Sequence, residues 1–268
     1  MAAGVETVAV SGLRVAYRRA GQGQPLVLLH GGFLDSREWR AQLNGLSDDF
    51  DVIAVDCLGC GQSDDPPEGF TLRDYADHLA GFLAALGCDG AHFGGLSFGS
   101  MYALVLYRFY PELPHSLILA GAYAGWGGSL PRAEVARRVR WVNDVLDRPV
   151  AEWGPDFLAT VYRDQTPPAL LREAMEILED LRPSGFRPVT EAFFAADLRD
   201  VLPRITVPTL LIYGDADARS PRHVAQDLHE QIRGSRLVVL PDAGHGVNEE
   251  APEAFNAVVR DFLTGLAG

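Results

Sequence analysis

Lysine is absent from this 268-residue sequence, so its 23 strongly basic residues are all arginine. Schiff-base catalysis, serine–lysine dyads and phosphate-binding P-loops each need the primary amine of a lysine side chain, and the sequence excludes all three. Cysteine is scarce, and the three are Cys57, Cys60 and Cys88. Cys57 and Cys60 form a C-x-x-C pair, which leaves a redox or metal site as an alternative, although no second pair of Cys or His ligands stands near it.

Long apolar runs and a net positive charge are absent as well. No stretch approaches the roughly 20 apolar residues that span a bilayer, and residues 1–12 lack the basic-then-apolar plan of a secretory signal. We therefore expect a cytoplasmic protein. The formal net charge is −13, and such a surface repels phosphates, so neither nucleic acid nor a membrane is an expected partner. The oligomeric state is left open.

What is present is an alternation of apolar strand patterns and amphipathic helix patterns. The predicted strands are residues 5–10, 13–19, 25–29, 52–55, 91–96, 116–120, 209–213 and 237–240. The helices predicted between and after them are residues 72–86, 98–110, 221–232 and 252–266. This alternation predicts an α/β fold with a mostly parallel sheet and helices on both of its faces.

Prolines and helical patterns replace the strands in the middle of the chain. The helices predicted there are residues 130–146, 170–181 and 190–201. We therefore predict a core of residues 1–122 and 203–268, with a helical cap of residues 123–202 inserted before the penultimate strand. Open α/β sheets bind their ligands at the carboxyl ends of the strands, where this cap is expected to lie.

The sequence GLSFG at residues 95–99 stands where a short apolar strand runs into a helix. A nucleophile on such a sharp turn has strained backbone angles, and a Cβ two residues away would collide with the turn, which explains the glycines. The N-terminus of the following helix favours developing negative charge. Ser97 is therefore the predicted nucleophile, and Phe98 directly after it is a predicted backbone N–H donor to an oxyanion.

A candidate base and a candidate acid follow the serine. His245 lies in a loop after the last predicted strand, at the edge of the sheet where a base can reach Ser97. Asp217 lies just beyond the penultimate strand and would fix the tautomer of His245, with Asp215 as the alternative acid. The other histidines stand within or at the starts of predicted helices and strands, except His30, which we interpret as an organiser of the glycine-rich loop that follows residues 25–29.

Together these residues resemble the α/β-hydrolase superfamily, in particular its small capped esterases, enol-lactonases and perhydrolase-like members. The resemblance covers nearly the whole chain, and the matching motifs are HGGFLDSREW, DCLGCGQSD, GLSFG, GDAD and AGHGVNEEAPEAF. It implies that Gly32 is the second oxyanion donor and that the loop containing Cys57 and Cys60 is structural. Leu96 departs from the histidine found before the nucleophile in many relatives. A serine at position 97 argues against haloalkane dehalogenases and epoxide hydrolases, which use aspartate.

The expected function is hydrolysis of a small carboxylic ester or lactone through an acyl-enzyme on Ser97, without a cofactor or metal. Hydrolysis of a carbon–carbon bond, perhydrolysis and a non-enzymatic ligand receptor are the alternatives. The arginines of residues 132–140 fit either a solvated helix face or a site for an acidic substrate. The candidate pocket residues are Phe33, Trp126, Trp141, Phe157 and Val247.

Overall fold

Eight strands form one sheet, in the order β1-β2-β4-β3-β5-β6-β7-β8, in the computed structural model, which describes residues 4–266. The strands are β1 (Val5–Val10), β2 (Leu13–Ala20), β3 (Gln24–Leu29), β4 (Phe50–Val55), β5 (Ala91–Leu96), β6 (Pro114–Ala120), β7 (Thr209–Gly214) and β8 (Arg236–Leu240). β2 is antiparallel to both of its neighbours, and all other adjacent strands are parallel. The predicted fold class is confirmed, including the strand pair β1–β2.

Helices cover both faces of this sheet. They are α1 (Arg40–Leu46), α2 (Leu72–Ala85), α3 (Phe98–Phe109), α4 (Trp126–Ser129), α5 (Arg132–Val145), α6 (Val150–Val161), α7 (Pro168–Glu179), α8 (Pro183–Phe193), α9 (Arg222–Gln231), α10 (Val247–Glu250) and α11 (Pro252–Thr264). Within residues 4–266 none of them is long and apolar enough to cross a membrane. Both faces of β3 are buried in separate hydrophobic clusters, Val27 and Leu29 in one, Leu26 and Leu28 in the other. This explains why the predicted strand is a continuous apolar run.

The helices α4 to α8 lie between β6 and β7, and we call residues 123–202 the helical insert. The structure contains no strand in this segment. The helices predicted at residues 130–146 and 170–181 correspond to α5 and α7. No helix was predicted over α6, which contains Pro155 in its second turn. Burial of Trp153, Phe157 and Val161 on one face of α6 outweighs the missing hydrogen bond at that proline.

The helix predicted at residues 190–201 is wrong for most of its length, because α8 begins at Pro183 and ends at Phe193. The chain after Phe193 forms long-range hydrogen bonds instead of a helix. Leu198 donates its N–H to the carbonyl of Ala124 (2.9 Å), and the carbonyl of Ala196 accepts the N–H of Gly127 (3.0 Å). These hydrogen bonds join the start of the insert to its end, and residue patterns along one segment cannot reveal them.

Candidate active site

Ser97 occupies the sharp turn between β5 and α3. Its backbone angles are φ 52° and ψ −105°, which non-glycine residues rarely adopt, and its N–H donates to the carbonyl of Ala120 at the end of β6 (2.8 Å). A Cβ at Gly95 would lie 2.3 Å from the carbonyl carbon of Gly99, and a Cβ at Gly99 would lie 1.9 Å from the carbonyl oxygen of Leu29. Both glycines are therefore needed for space, although the obstruction at Gly99 is the neighbouring strand β3 rather than the turn itself.

Asp217 and His245 meet beyond the carboxyl ends of β7 and β8. Nδ1 of His245 lies 2.8 Å from Oδ2 of Asp217. The other carboxylate oxygen, Oδ1, accepts the N–H groups of Arg219 (2.9 Å) and Ser220 (2.8 Å). Only 4% of the His245 side chain and 2% of the Asp217 side chain are exposed. An ionised carboxylate on the Nδ1 side places a proton on Nδ1 and leaves Nε2 able to accept one.

The carboxyl group of Asp217 is held in its ionised form. Burial raises its pKa, but the charge of His245 and the hydrogen bonds from the imidazole and the two N–H groups outweigh burial, and the pKa is lowered overall. The alternative acid, Asp215, is exposed, and its carboxylate accepts the N–H of Ala243 (3.4 Å) rather than the imidazole. The geometry therefore favours Asp217 as the partner of His245.

His30 organises the glycine-rich loop after β3. Its Nε2 accepts the N–H of Cys57 (3.1 Å), so the proton lies on Nδ1, which donates to the carbonyl of Gly31 (2.8 Å). Burial lowers the pKa of His30, in keeping with a neutral ring. The carbonyl of Gly31 and the N–H of Gly32 share one planar peptide unit, so this bond also helps to fix the direction of the Gly32 N–H.

A narrow cavity of about 30 Å³ lies beside Ser97. His245 forms part of its wall, and so do Gly32 and Phe98, the two residues predicted to stabilise an oxyanion. The structure thus brings the predicted nucleophile, base and oxyanion donors to one space, with the predicted acid directly behind the base. Their catalytic roles stay a prediction.

The predicted pocket residues fall into three groups. Phe33, Trp126 and Phe157 line the narrow cavity. Trp141 lines a wider cavity outside it. Val247 was wrongly placed in the pocket, because it is the first residue of α10 and is fully buried in the hydrophobic cluster on the opposite side of β3 from α3.

Phe33 links the glycine-rich loop to the helical insert. Its φ of 70° is unusual for a residue with a side chain. Its ring centroid lies between 4.7 and 6.0 Å from those of four aromatic residues of the insert, which are Trp141, Trp153, Phe157 and Phe186. Such ring pairs add to the apolar burial and hold the strained residue in place.

Sequence reasoning missed Glu38, which reaches the narrow cavity from the 3-10 turn Ser36–Trp39. Its side chain is buried, Oε2 accepts the N–H of Gly31 (2.7 Å), and Oε1 has no hydrogen-bond partner among the described residues. Burial and the charge of Glu249 raise the pKa of Glu38 well above its ordinary value. A single glutamate in a surface-like turn gives no signal of this position in the sequence.

Main-chain contacts join the helical insert to the loop of His245. The carbonyl of Val161, at the end of α6, accepts the N–H groups of His245 (2.8 Å) and Gly246 (3.1 Å). The insert therefore contributes directly to the position of the candidate base.

Glu250 strengthens the same junction. Its Oε2 accepts the N–H of Gly244 (2.6 Å), and its Oε1 accepts the N–H of Arg163 (3.0 Å) and the hydroxyl of Thr166 (2.5 Å). Only 1% of the Glu250 side chain is exposed. One buried carboxylate thus bridges the insert and the loop that carries His245.

The loop after β4 contains the C-x-x-C pair. Asp56 orders this loop, because its two carboxylate oxygens accept the N–H groups of Ser36 (2.9 Å) and Gln62 (2.8 Å). Cys57 and Cys60 are buried free thiols, and burial raises the pKa of both, which disfavours the reactive thiolate. Within residues 4–266 no group of three His, Cys, Asp or Glu side chains could hold a metal ion.

Comparisons with known proteins agree with this architecture. Residues 26–258 match the alpha/beta hydrolase family, and the chain belongs to that family. The serine hydrolase BPHL of Homo sapiens is 28% identical over 96% of this chain and 85% of its own. A thermophilic esterase from Thermogutta terrifontis has a TM-score of 0.87 at 28% identity, covering 98% of this chain and 99% of its own. The enol-lactonase from Burkholderia xenovorans LB400 has a TM-score of 0.84 at 27% identity, covering 97% of this chain and 100% of its own.

Proposed function

We propose that the chain is a serine hydrolase that cleaves a carboxylic ester or lactone through an acyl-enzyme on Ser97. The observation that carries the proposal is the 2.8 Å contact between Asp217 and His245, at the wall of a cavity that Ser97 also lines. The names of the similar esterase and enol-lactonase support the choice of an ester bond. Because the sequence contains no lysine, Schiff-base catalysis and a serine–lysine dyad are excluded.

In the first half of the reaction, Oγ of Ser97 attacks the carbonyl carbon while Nε2 of His245 takes its proton. The negative charge moves to the carbonyl oxygen, which accepts hydrogen bonds from the N–H groups of Gly32 and Phe98. The carboxylate of Asp217 stabilises the imidazolium. Collapse of the tetrahedral intermediate breaks the bond to the alcohol oxygen, and that oxygen leaves with the proton from His245.

In the second half, His245 takes a proton from a water molecule, whose oxygen attacks the acyl carbon. A second tetrahedral intermediate forms at the same two N–H groups. Its collapse releases the carboxylic acid and returns the proton to Oγ of Ser97. For a lactone the alcohol and the acid remain parts of one product.

The test combines a covalent probe with turnover. A fluorophosphonate should label the wild-type chain and the control Ser235→Ala, but not Ser97→Ala, and the same two active proteins should hydrolyse a panel of p-nitrophenyl esters and lactones. Equal labelling of wild type and Ser97→Ala would overturn the assignment of the nucleophile. Turnover of peroxide and halide without ester hydrolysis would favour perhydrolysis instead.

A further inference from the structure

Two cavities share one wall beside the candidate active site. The narrow cavity of Ser97 and His245 measures about 30 Å³, whereas the one outside it measures about 430 Å³. The shared residues are Trp126, Phe157 and Arg219. A space of about 30 Å³ holds only one or two waters, and the wider cavity on the other side of this wall offers room for the rest of a bound ester.

Arg219 brings a positive charge to this wall. Its guanidinium lies 5.0 Å from the ring centroid of Phe157, and Nη1 donates to the hydroxyl of Thr160 (2.6 Å). Within residues 4–266 no carboxylate lies within ion-pair distance of it. The guanidinium has five N–H donors, so most of its capacity for a bidentate partner is unused.

The two other arginines at the wider cavity share one carboxylate. Arg137 and Arg138 both pair with Glu134, each at 2.7 Å, and this agrees with a mainly structural role for the arginines of residues 132–140. Asp156 is exposed at the same cavity and forms no ion pair with Arg219. Although the chain carries a net charge of −13, Arg219 thus places on the shared wall a guanidinium that has no ion-pair partner among the described residues.

We propose that Arg219 binds a carboxylate group of the substrate, so that the natural substrate is an ester or lactone with a second, unreacted carboxylate. The inference rests on the proposed function. Trp126 and Phe157 supply apolar walls for the carbon chain between the two groups, and the guanidinium fork matches the geometry of a carboxylate. The Arg219 N–H that bonds Asp217 belongs to the main chain, so a side-chain substitution leaves that contact in place.

The kinetic test compares esters that differ only in charge. Mono-p-nitrophenyl adipate carries the carboxylate on the acyl side, and meta-acetoxybenzoate carries it on the alcohol side, with the corresponding methyl esters as neutral partners. Wild type should prefer one charged ester over its neutral partner, and Arg219→Gln should lower kcat/KM for that ester about 10- to 100-fold. The ratio of kcat/KM for the charged ester to that for its neutral partner should fall by the same factor, and circular dichroism should show that the variant is folded. The exposed control Arg233→Gln, with the same charge change, should behave as wild type.

A binding measurement separates this inference from the proposed function. The Ser97→Ala chain should bind the preferred charged ester at least about 10-fold more tightly than its methyl ester in calorimetry, and adding Arg219→Gln should remove the difference. Equal affinity for charged and neutral esters, or a preference that survives Arg219→Gln, would overturn the role of Arg219 whether or not the wild type shows turnover. Absence of turnover by wild type on every ester, with discrimination in binding retained, would overturn only the proposed function.

Discussion

The main-chain carbonyl of Val161 in the helical insert accepts the N–H of His245 at 2.8 Å. The candidate base is thus positioned from two sides, by the carboxylate of Asp217 on its ring and by α6 on its backbone. A loop that is held in this way loses little freedom when a substrate binds, and it keeps the imidazole in one orientation.

Glu250→Ala should destabilise the protein and slow catalysis together. The substitution leaves the partly buried N–H groups of Gly244 and Arg163 without this acceptor, and each unsatisfied group costs about 1–3 kcal/mol. The free energy of unfolding in urea should fall by about 3 kcal/mol. Glu253→Ala is the matched control, because Glu253 is exposed in the first turn of α11. A change below about 1 kcal/mol would contradict the bridging role of Glu250.

Asp217→Asn should lower kcat by about 10³- to 10⁴-fold, because an amide can favour the wrong tautomer of His245 and cannot stabilise an imidazolium. Asp215→Asn should stay within about 2-fold of wild type, since Asp215 is exposed and does not contact the imidazole. Steady-state kinetics on one ester checks both. Should Asp215→Asn show the larger loss, the acid has been misassigned.

Gly99→Ala should destabilise the fold by more than about 3 kcal/mol, or prevent folding. The new methyl group would stand 1.9 Å from the carbonyl oxygen of Leu29, and the neighbouring strand has no room to move. Gly4→Ala should be nearly neutral, because nothing lies within 4 Å of its Cβ position. Thermal unfolding by circular dichroism measures both, and similar midpoints would show that the turn is more adaptable than its geometry indicates.

Glu249 should make the protein less stable as the pH rises toward neutrality. Burial raises its pKa to about 7, although the Tyr162 hydroxyl donates to it at 2.5 Å, whereas the unfolded chain has a value of about 4.3. Between these values the unfolded state binds fewer protons than the native state, so the free energy of unfolding falls with increasing pH. Urea unfolding should be measured at about pH 5 and at about pH 7.5. The free energy of unfolding should fall between these two pH values by about 1–2 kcal/mol more in wild type than in Glu249→Gln. Parallel pH profiles for the two proteins would contradict the raised pKa.

The core of the fold could be predicted from the sequence because its signals are local. Apolar runs identified all eight strands, and amphipathic patterns identified the long helices α2, α3, α9 and α11. The insert was harder to predict, since Pro155 obscured α6 and the end of α8 depends on contacts between Ala124 and Leu198, distant in sequence. Packing between distant segments determines where these helices begin and end. A pattern within one short stretch of sequence does not carry that information.

The residues of the candidate site also differ in how far local sequence motifs indicate them. Ser97, Asp217 and His245 could be proposed from the sequence because each stands in a short motif next to a strand end, where turn geometry restricts the residue types. Glu38 and Arg219 were missed because the direction of each side chain brings it to the cavity. The sequence does not reveal that direction. Val247 was misplaced because its side chain packs into the hydrophobic cluster on the other side of the sheet, although it is only two residues from His245 in the sequence.

The position of Phe33 has a consequence for engineering the protein. Its ring is wedged among aromatic residues of α5, α6 and α8, while its backbone continues the loop that carries Gly32. An exchange of the helical insert for that of another hydrolase would therefore change the substrate pocket and also release the supports of Gly32 and His245. Chimeras should keep the carboxyl half of α6 and the ring contacts of Phe33, Trp141 of α5 included, and vary Arg137 at the wider cavity for specificity.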